Sequence, residues 1–301
     1  MTIGTGPIAP MHTLAFEAIG TAWRIDTSKA LSASLESRMH HSIAAFDATY
    51  SRFREDSLIT RIATGQPGRS FRFPQDSVPL FDFYDRLHAI TDGAVDPLVG
   101  RDLELLGYDA HYSLEHDPLA IGRYSHERRT WYVDVERDGT CITMARPGVI
   151  DVGAIGKGYL VDIITDMLRA EGHEAYVVDG SGDLRHVGPE VLEVGLEDPR
   201  NPALAIGIAH LRNQAMCASA TNRRSWGHFH HIVDGRTGLP VRDVIATWVV
   251  ADDAITADGL ATALFFTGAD RLAETFQFSF VRMFADGRAE ISENFDGTLF
   301  S

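Results

Sequence analysis

The chain has 301 residues, 45% hydrophobic and 23% charged, enough for one large domain or two packed lobes. A formal net charge of −15, from 27 Lys and Arg against 42 Asp and Glu, opposes the basic footprint by which proteins hold nucleic acid or anionic membranes. An anionic ligand must therefore be met locally, by a cation, by backbone amides or by a few placed Lys and Arg side chains. Cys141 and Cys217 stand far apart without CxxC spacing, so neither a disulfide framework nor a zinc knuckle is expected, and a reducing compartment fits. The opening MTIGTGPIAPMHTLAFEAIG has no basic start, no continuous apolar run and no cysteine for a lipid. No stretch reaches the roughly 18 to 20 apolar residues of a membrane helix. The expectation is a cytoplasmic protein without a membrane anchor.

Partial alternation over residues 13–25 predicts a strand, and Leu31, Leu35, Met39, Ile43 and Phe46 then recur at helical spacing. A second helix is expected over 78–90, burying Leu80, Phe81, Tyr84 and Leu87 and stopped by Asp92-Gly93. The following GAVDPLVGR is rich enough in Gly and Pro to predict an irregular loop. Strands over 131–135 and 141–144 flank the turn signal Asp138-Gly139 and predict a hairpin, closed by Pro147-Gly148. From Lys157 the apolar positions Leu160, Ile163, Ile164, Met167 and Leu168 mark a helix ended by Gly172, and 175–178 reads as a strand. Further strands are expected at 191–194, 205–211 and 244–250, helices near 257–266 and 271–276, and a last strand at 280–284. This mixture of hairpins and helices argues α+β rather than a βαβ succession. With no repeat, low-complexity tract or linker, residues 1–301 read as a single domain.

Four segments could carry chemistry. In PGVIDVGAIGKGYLVD the Gly156-Lys157 pair resembles a P-loop, but Asp151 stands where the first loop glycine belongs and Gly158 where a Ser or Thr belongs. In VVDGSGDLRHVG, Gly180 and Gly182 follow a strand as in a dinucleotide fingerprint, yet Arg185 takes the third glycine position and no helix pattern follows. What survives is physical: small residues let backbone approach a ligand, and helix-start amides hold anions. Tight turns are the alternative reading. In AITADGLATALFF, Asp258 and Thr262 lie four apart and share a helical face. A carboxylate and a hydroxyl one turn apart suit Mg²⁺, which keeps waters and accepts substrate phosphate oxygens. The competing reading puts Asp258 in its helix's first turn for the dipole and leaves Thr262 a packed hydroxyl. In GHFHHIVDGRTGLPV, His228 and His230 would share one strand face opposite His231. A zinc site there would need further converging ligands, and no matching Cys or His-x-x-x-His is present.

The segments AIGTAW, YSRFREDSLITRI, GAVDPLVG, DVGAIGKGYLVD, VVDGSGDL, CASATNRR, HHIVDGRTGLP and ITADGLATAL occur in this order and with similar spacing in the FAD:protein FMN transferases, the ApbE family. The chain resembles that family over nearly its whole length. The resemblance implies an ApbE-like, T-fold-related α+β fold with FAD in a cleft between packed lobes and Mg²⁺ at its pyrophosphate. It makes Asp258 and Thr262 side-chain ligands of the metal, joined by a backbone carbonyl of GAIGKG, taken as that of Gly156. Family members draw a Ser or Thr hydroxyl of an acceptor flavoprotein, carried in a short flavinylation motif, onto the phosphorus on the FMN side of FAD and expel AMP.

By the same resemblance His231, ahead of the Ile-x-Asp triplet, is the expected base or phosphate-orienting group, with an activity limb near pH 6.5 shifted by its site, and Asp234 fixes the turn. Gly20, Thr21, Ser57, Thr60, Lys157, Asp179, Gly180, Gly182, Asp183, Ser219, Thr221 and Arg223 match positions near the flavin or the nucleotide. The chain departs from the family's usual residues at Ile19, Leu58, Ser181, Asn222 and Gly235. Alternatives to the transferase are an FAD pyrophosphatase giving FMN and AMP, a non-catalytic FAD-binding protein, and a zinc hydrolase built on His228, His230 and His231.

Overall fold

A computed structural model describes residues 3–4 and 12–300; most of the N-terminal stretch read above for targeting lies outside the described residues. The chain groups into two compact units. The first comprises Met1–Ile43, Ile155–Asn222 and Asp243–Ser301, the second Ala44–Ala154 and Arg223–Arg242. Among the described residues no helix is long and apolar enough to cross a membrane.

The first unit is built on an eight-stranded antiparallel sheet in the order Ala289–Ile291, Ser279–Phe284, Val244–Ala251, Ala215–Ala220, Asp183–Val187, Tyr176–Asp179, Thr21–Thr27, His12–Ala18. Strand alternation gives this sheet two faces. Val177, Leu184, Met216, Trp248 and Val281 form one core with Leu192, Val194, Leu196, Ala209 and Leu211 of a second, four-stranded sheet. The residues between them point the other way: Cys217 Sγ lies 3.4 Å from the Ala254 carbonyl, and Thr247 Oγ1 donates to that of Ala261 at 2.7 Å. Helix Ala254–Ala263 is thus held to this face by its own backbone, which its small residues Ala257, Gly259 and Ala261 permit. Helix Gly156–Ala170 packs beside it with Leu160, Ile164 and Leu168 fully buried, each contributing about 2 kcal/mol of apolar transfer.

The second unit carries helices Leu58–Ala63, Ser77–Ile90, Gly100–Leu105 and Pro118–Ser125 and a three-stranded sheet in the order Arg69–Arg72, Cys141–Met144, Val135–Asp138. Fully buried Phe81 anchors it, stacked on Trp131 at 5.6 Å and edge-on to Phe73 at 4.9 Å.

The α+β class holds, with local corrections. The single strand expected over 13–25 is a hairpin whose turn residues Ile19 and Gly20 have φ of 45° and 76°. Two consecutive left-handed residues match the strand twist, and the apolar alternation conceals the turn. Residues 131–135 begin as a one-turn helix, Trp131–Asp134, because the Trp131 ring enters the core with its indole N–H on Asp85 at 2.6 Å, and Asp134 accepts the Thr130 amide at 3.0 Å. GAVDPLVGR is irregular only as far as Asp96, which caps the 3-10 turn Pro97–Val99 by accepting the Leu98 amide at 2.7 Å, and the turn runs into Gly100–Leu105. The helix expected at 257–266 is Ala254–Ala263, its start set by Asp253 accepting from the Thr256 amide at 2.9 Å. The helix expected at 271–276 is Ala269–Ala273.

Candidate functional site

In the first unit the GAIGKG segment is a helix start, and Ile155 at its N-cap contributes no side-chain bond. A Cβ at Gly158 would lie 2.2 Å from the Ala254 carbonyl oxygen and 2.7 Å from Asp258 Cβ, so only glycine allows this helix to meet the Asp258 helix backbone to backbone. At that contact the Gly158 amide donates to Asp258 Oδ2 at 2.9 Å. Asp258 is 4% exposed and sits in the second turn, not the first as the dipole reading required, with Thr262 one turn further on. Lys157 Nζ is 2.7 Å from Asp183 Oδ2; Asp183 is 1% exposed, so its carboxylate serves to hold the lysine.

The DGSGD segment is a tight turn in which Ser181 and Gly182 both have positive φ, 65° and 106°, and Asp179 accepts the Gly182 amide at 3.0 Å. Burial pushes the Asp179 carboxyl above its usual range. Ser181, which has a Cβ, adopts the left-handed conformation here at a cost of about 1 kcal/mol. Gly180 lies flat on the Trp23 ring, 3.0 Å from where its Cβ would be, and Trp23 in turn donates to the Ala18 carbonyl at 3.1 Å beside Gly20 and Thr21. Ser219 ends a central strand, and Thr221 donates its amide to Ile245 O at 3.0 Å. The first unit thus carries Gly20, Thr21, Gly156, Lys157, Asp179, Gly180, Gly182, Asp183, Ser219, Thr221, Asp258 and Thr262, while Ser57, Arg223 and His231 belong to the second.

In the second unit Ser57 is fully buried and caps helix Leu58–Ala63, its hydroxyl accepting the Thr60 amide and donating to Thr60 Oγ1, both at 3.1 Å. Arg223 is exposed. His231 Nδ1 faces the Arg224 carbonyl at 3.4 Å, an acceptor that favours the proton on Nδ1 and leaves the lone pair on Nε2. Burial, reinforced by Arg224, pushes the imidazole down to about 3, so the shift that the site imposes on the ordinary value of about 6.5 is downward. His230 spends both nitrogens on backbone, donating to Val241 O at 2.6 Å and accepting from Ile232 N at 3.3 Å, and His228 is exposed. This leaves the zinc reading no ligand set. Asp234 fixes its turn by pairing with Arg236 Nη2 at 2.6 Å. Gly235 donates to Ala94 O at 2.9 Å, and a Cβ there would meet Gly93 O at 2.6 Å, so no residue with a side chain fits this position without a shift.

Sequence reading missed two anchors. Asp151 pairs with Arg52 Nε at 2.5 Å; burial raises its carboxyl, but Arg52 outweighs that and holds it below the usual range. Asp162 receives the amides of Ala254 and Ile255; its one signal was its place four residues after Gly158. Among the described residues no group of three or more His, Cys, Asp and Glu is placed to hold a metal. The donor chemistry at Asp258 and Thr262, a buried carboxylate and a hydroxyl one helical turn apart, nonetheless fits a hard cation whose remaining ligands are waters and phosphate oxygens.

The sequence profile of the ApbE family matches residues 19–281. The FAD:protein FMN transferase of Haemophilus influenzae is 26% identical over 260 residues, covering 79% of this chain and 75% of that protein. The crystal structure of the ApbE protein from Thermotoga maritima is similar with a TM-score of 0.83 and 26% identity, over 94% of this chain and 97% of that one. The flavin transferase ApbE from Vibrio cholerae shares the fold with a TM-score of 0.81 at 23% identity, over 95% and 98% of the two chains. With most of its length matched by that profile, the chain belongs to the ApbE family.

Proposed function

We propose that the chain is an Mg²⁺-dependent FAD:protein FMN transferase that moves FMN from FAD to a Ser or Thr hydroxyl of an acceptor flavoprotein and releases AMP. The observation that carries this reading is the Asp258 carboxylate, buried, fixed by the Gly158 amide at 2.9 Å and one helical turn from Thr262. Family membership and the names of the relatives support it. Asp258, Thr262 and the carbonyl of Gly156 would hold Mg²⁺, which when bound neutralises charge on the pyrophosphate. The amides of the helix start at Gly156 favour an anion, and Lys157, oriented by Asp183, adds a fixed positive charge. Neutral His231 offers its Nε2 lone pair as a hydrogen-bond acceptor that orients the acceptor hydroxyl, and because an imidazole held near 3 is too weak a base to keep the proton, the proton passes on to the departing AMP phosphate. The hydroxyl oxygen bonds to the phosphorus on the FMN side as the bridging P–O bond breaks, and AMP leaves with the electron pair.

The test mixes purified protein, FAD, Mg²⁺ and flavoproteins encoded by neighbouring genes, then looks for covalent FMN by mass and in-gel fluorescence. Covalent FMN that depends on the acceptor hydroxyl is the expected result. Release of AMP with no adduct on any acceptor would make the protein an FAD hydrolase, and FAD binding without turnover would make it a carrier.

A further inference from the structure

Two helices of the first unit are joined at their N-termini by exchanged carboxylates. The Gly158 amide of helix Gly156–Ala170 donates to Asp258 of helix Ala254–Ala263. In return, the amides of Ala254 and Ile255 donate to Oδ1 and Oδ2 of Asp162 at 2.9 and 2.8 Å. The next amide of that turn, Thr256, is served by Asp253 from the helix's own N-cap. Gly158 leaves no slack in this joint, since its Cα abuts the Ala254 carbonyl. We infer that Asp162 is a positioning residue for the cation site: by gripping Ala254 and Ile255 it fixes the helix bearing Asp258 and Thr262 against the helix bearing Gly156. The inference rests on the cation reading given above.

The physical reason lies in the ion. Mg²⁺ tolerates little departure from octahedral geometry at about 2.0 to 2.1 Å, and its proposed protein donors come from two helices 100 residues apart in sequence. A carboxylate bound to two successive amides resists both sliding and rotation of the helix end, which a single bond does not. Keeping this acid is costly: burial pushes its carboxyl up to about 7 against the pull of both amides and of Arg185, with Asp253 adding repulsion. A role confined to capping would not require an acid from another helix, because Asp253 already caps this one.

The experiment uses Mn²⁺, visible by electron paramagnetic resonance, titrated into the full-length protein with saturating FAD. Wild type, Asp162→Asn and Asp253→Asn are compared; each variant removes a charged acceptor from the same helix start. Asp162→Asn is expected to raise the Mn²⁺ dissociation constant roughly ten- to a hundredfold, with metal-free FAD affinity and circular dichroism unchanged, while Asp253→Asn stays close to wild type. Equal weakening by both variants would mean that Asp162 only stabilises the helix, and an unchanged constant in Asp162→Asn would give it no role; either overturns the inference. No Mn²⁺ binding by wild type would instead remove the cation site itself. Should Asp162→Asn not fold, Ile255→Pro deletes one donor of the joint in a helical first turn, where a missing N–H is tolerated, and the same rise in the constant is expected.

Discussion

His231 is expected to remain neutral far below the range where histidines usually titrate. Burial is the main cause and Arg224 the second, and together they hold the imidazole at about 3. Relative to an ordinary histidine near 6.5, this disfavours the imidazolium by at most about 5 kcal/mol, an upper bound because the residue keeps partial solvent access. At pH 7 only about one molecule in ten thousand would carry the charge. The kcat/KM profile, which reports the free enzyme, should therefore show no acid limb from His231 between pH 5 and 8. The direct assay follows the histidine Cε1 signals of the apoprotein by proton–carbon correlation from pH 8 to pH 4, identifying His231 by its loss in His231→Gln. Its signal should not move above about pH 4.5; a midpoint near 6.5 would refute the reasoning. Stability carries the same sign. The unfolded chain takes up this proton near 6.5 and the folded one only near 3, so the contribution is present above 6.5 and is lost as pH falls toward 3. His186 and His230, also lowered by burial, add to the slope, so the His231 share is the difference between wild type and His231→Gln in thermal melts over that window.

Asp258→Asn keeps an oxygen for the Gly158 amide but loses the anionic donor, so its Mg²⁺ requirement for turnover should rise and high Mg²⁺ should restore part of the rate; an unchanged Mg²⁺ dependence would count against the metal assignment. Gly158→Ala forces a methyl to within 2.2 Å of the Ala254 carbonyl oxygen and should cost about 3 kcal/mol or more in urea unfolding. Asp183→Asn removes the ion pair made with Lys157 at 2.7 Å and should destabilise by about 2 kcal/mol, less than for a fully buried pair because the lysine is 22% exposed. If Lys157 contributes charge to the site, the same variant should also weaken FAD binding in calorimetric titration.

The sequence by itself determined the α+β class, the helices beginning near Ala33, Ser77 and Gly156, and the shared face of Asp258 and Thr262, because these depend on the period of apolar residues and on spacing along one helix. It also carried the family, through motifs whose order is a property of the chain alone. Tertiary structure decided what depends on partners distant in sequence. The strands Asp183–Val187 and Ala215–Ala220 have too many polar or small residues to read as central strands, and only their neighbours in the sheet make them so. Trp131 gives up its predicted strand because the core takes its ring, and Asp96 makes a helix start of a Gly- and Pro-rich loop. The meaning of Gly158 as a point of backbone contact and of Asp162 as a joint between helices was likewise invisible, since each is set by atoms more than ninety residues away. The protonation of His231 shows the difference most directly: its residue type gives 6.5, and only the density of protein around the ring and the nearness of Arg224 bring it to about 3.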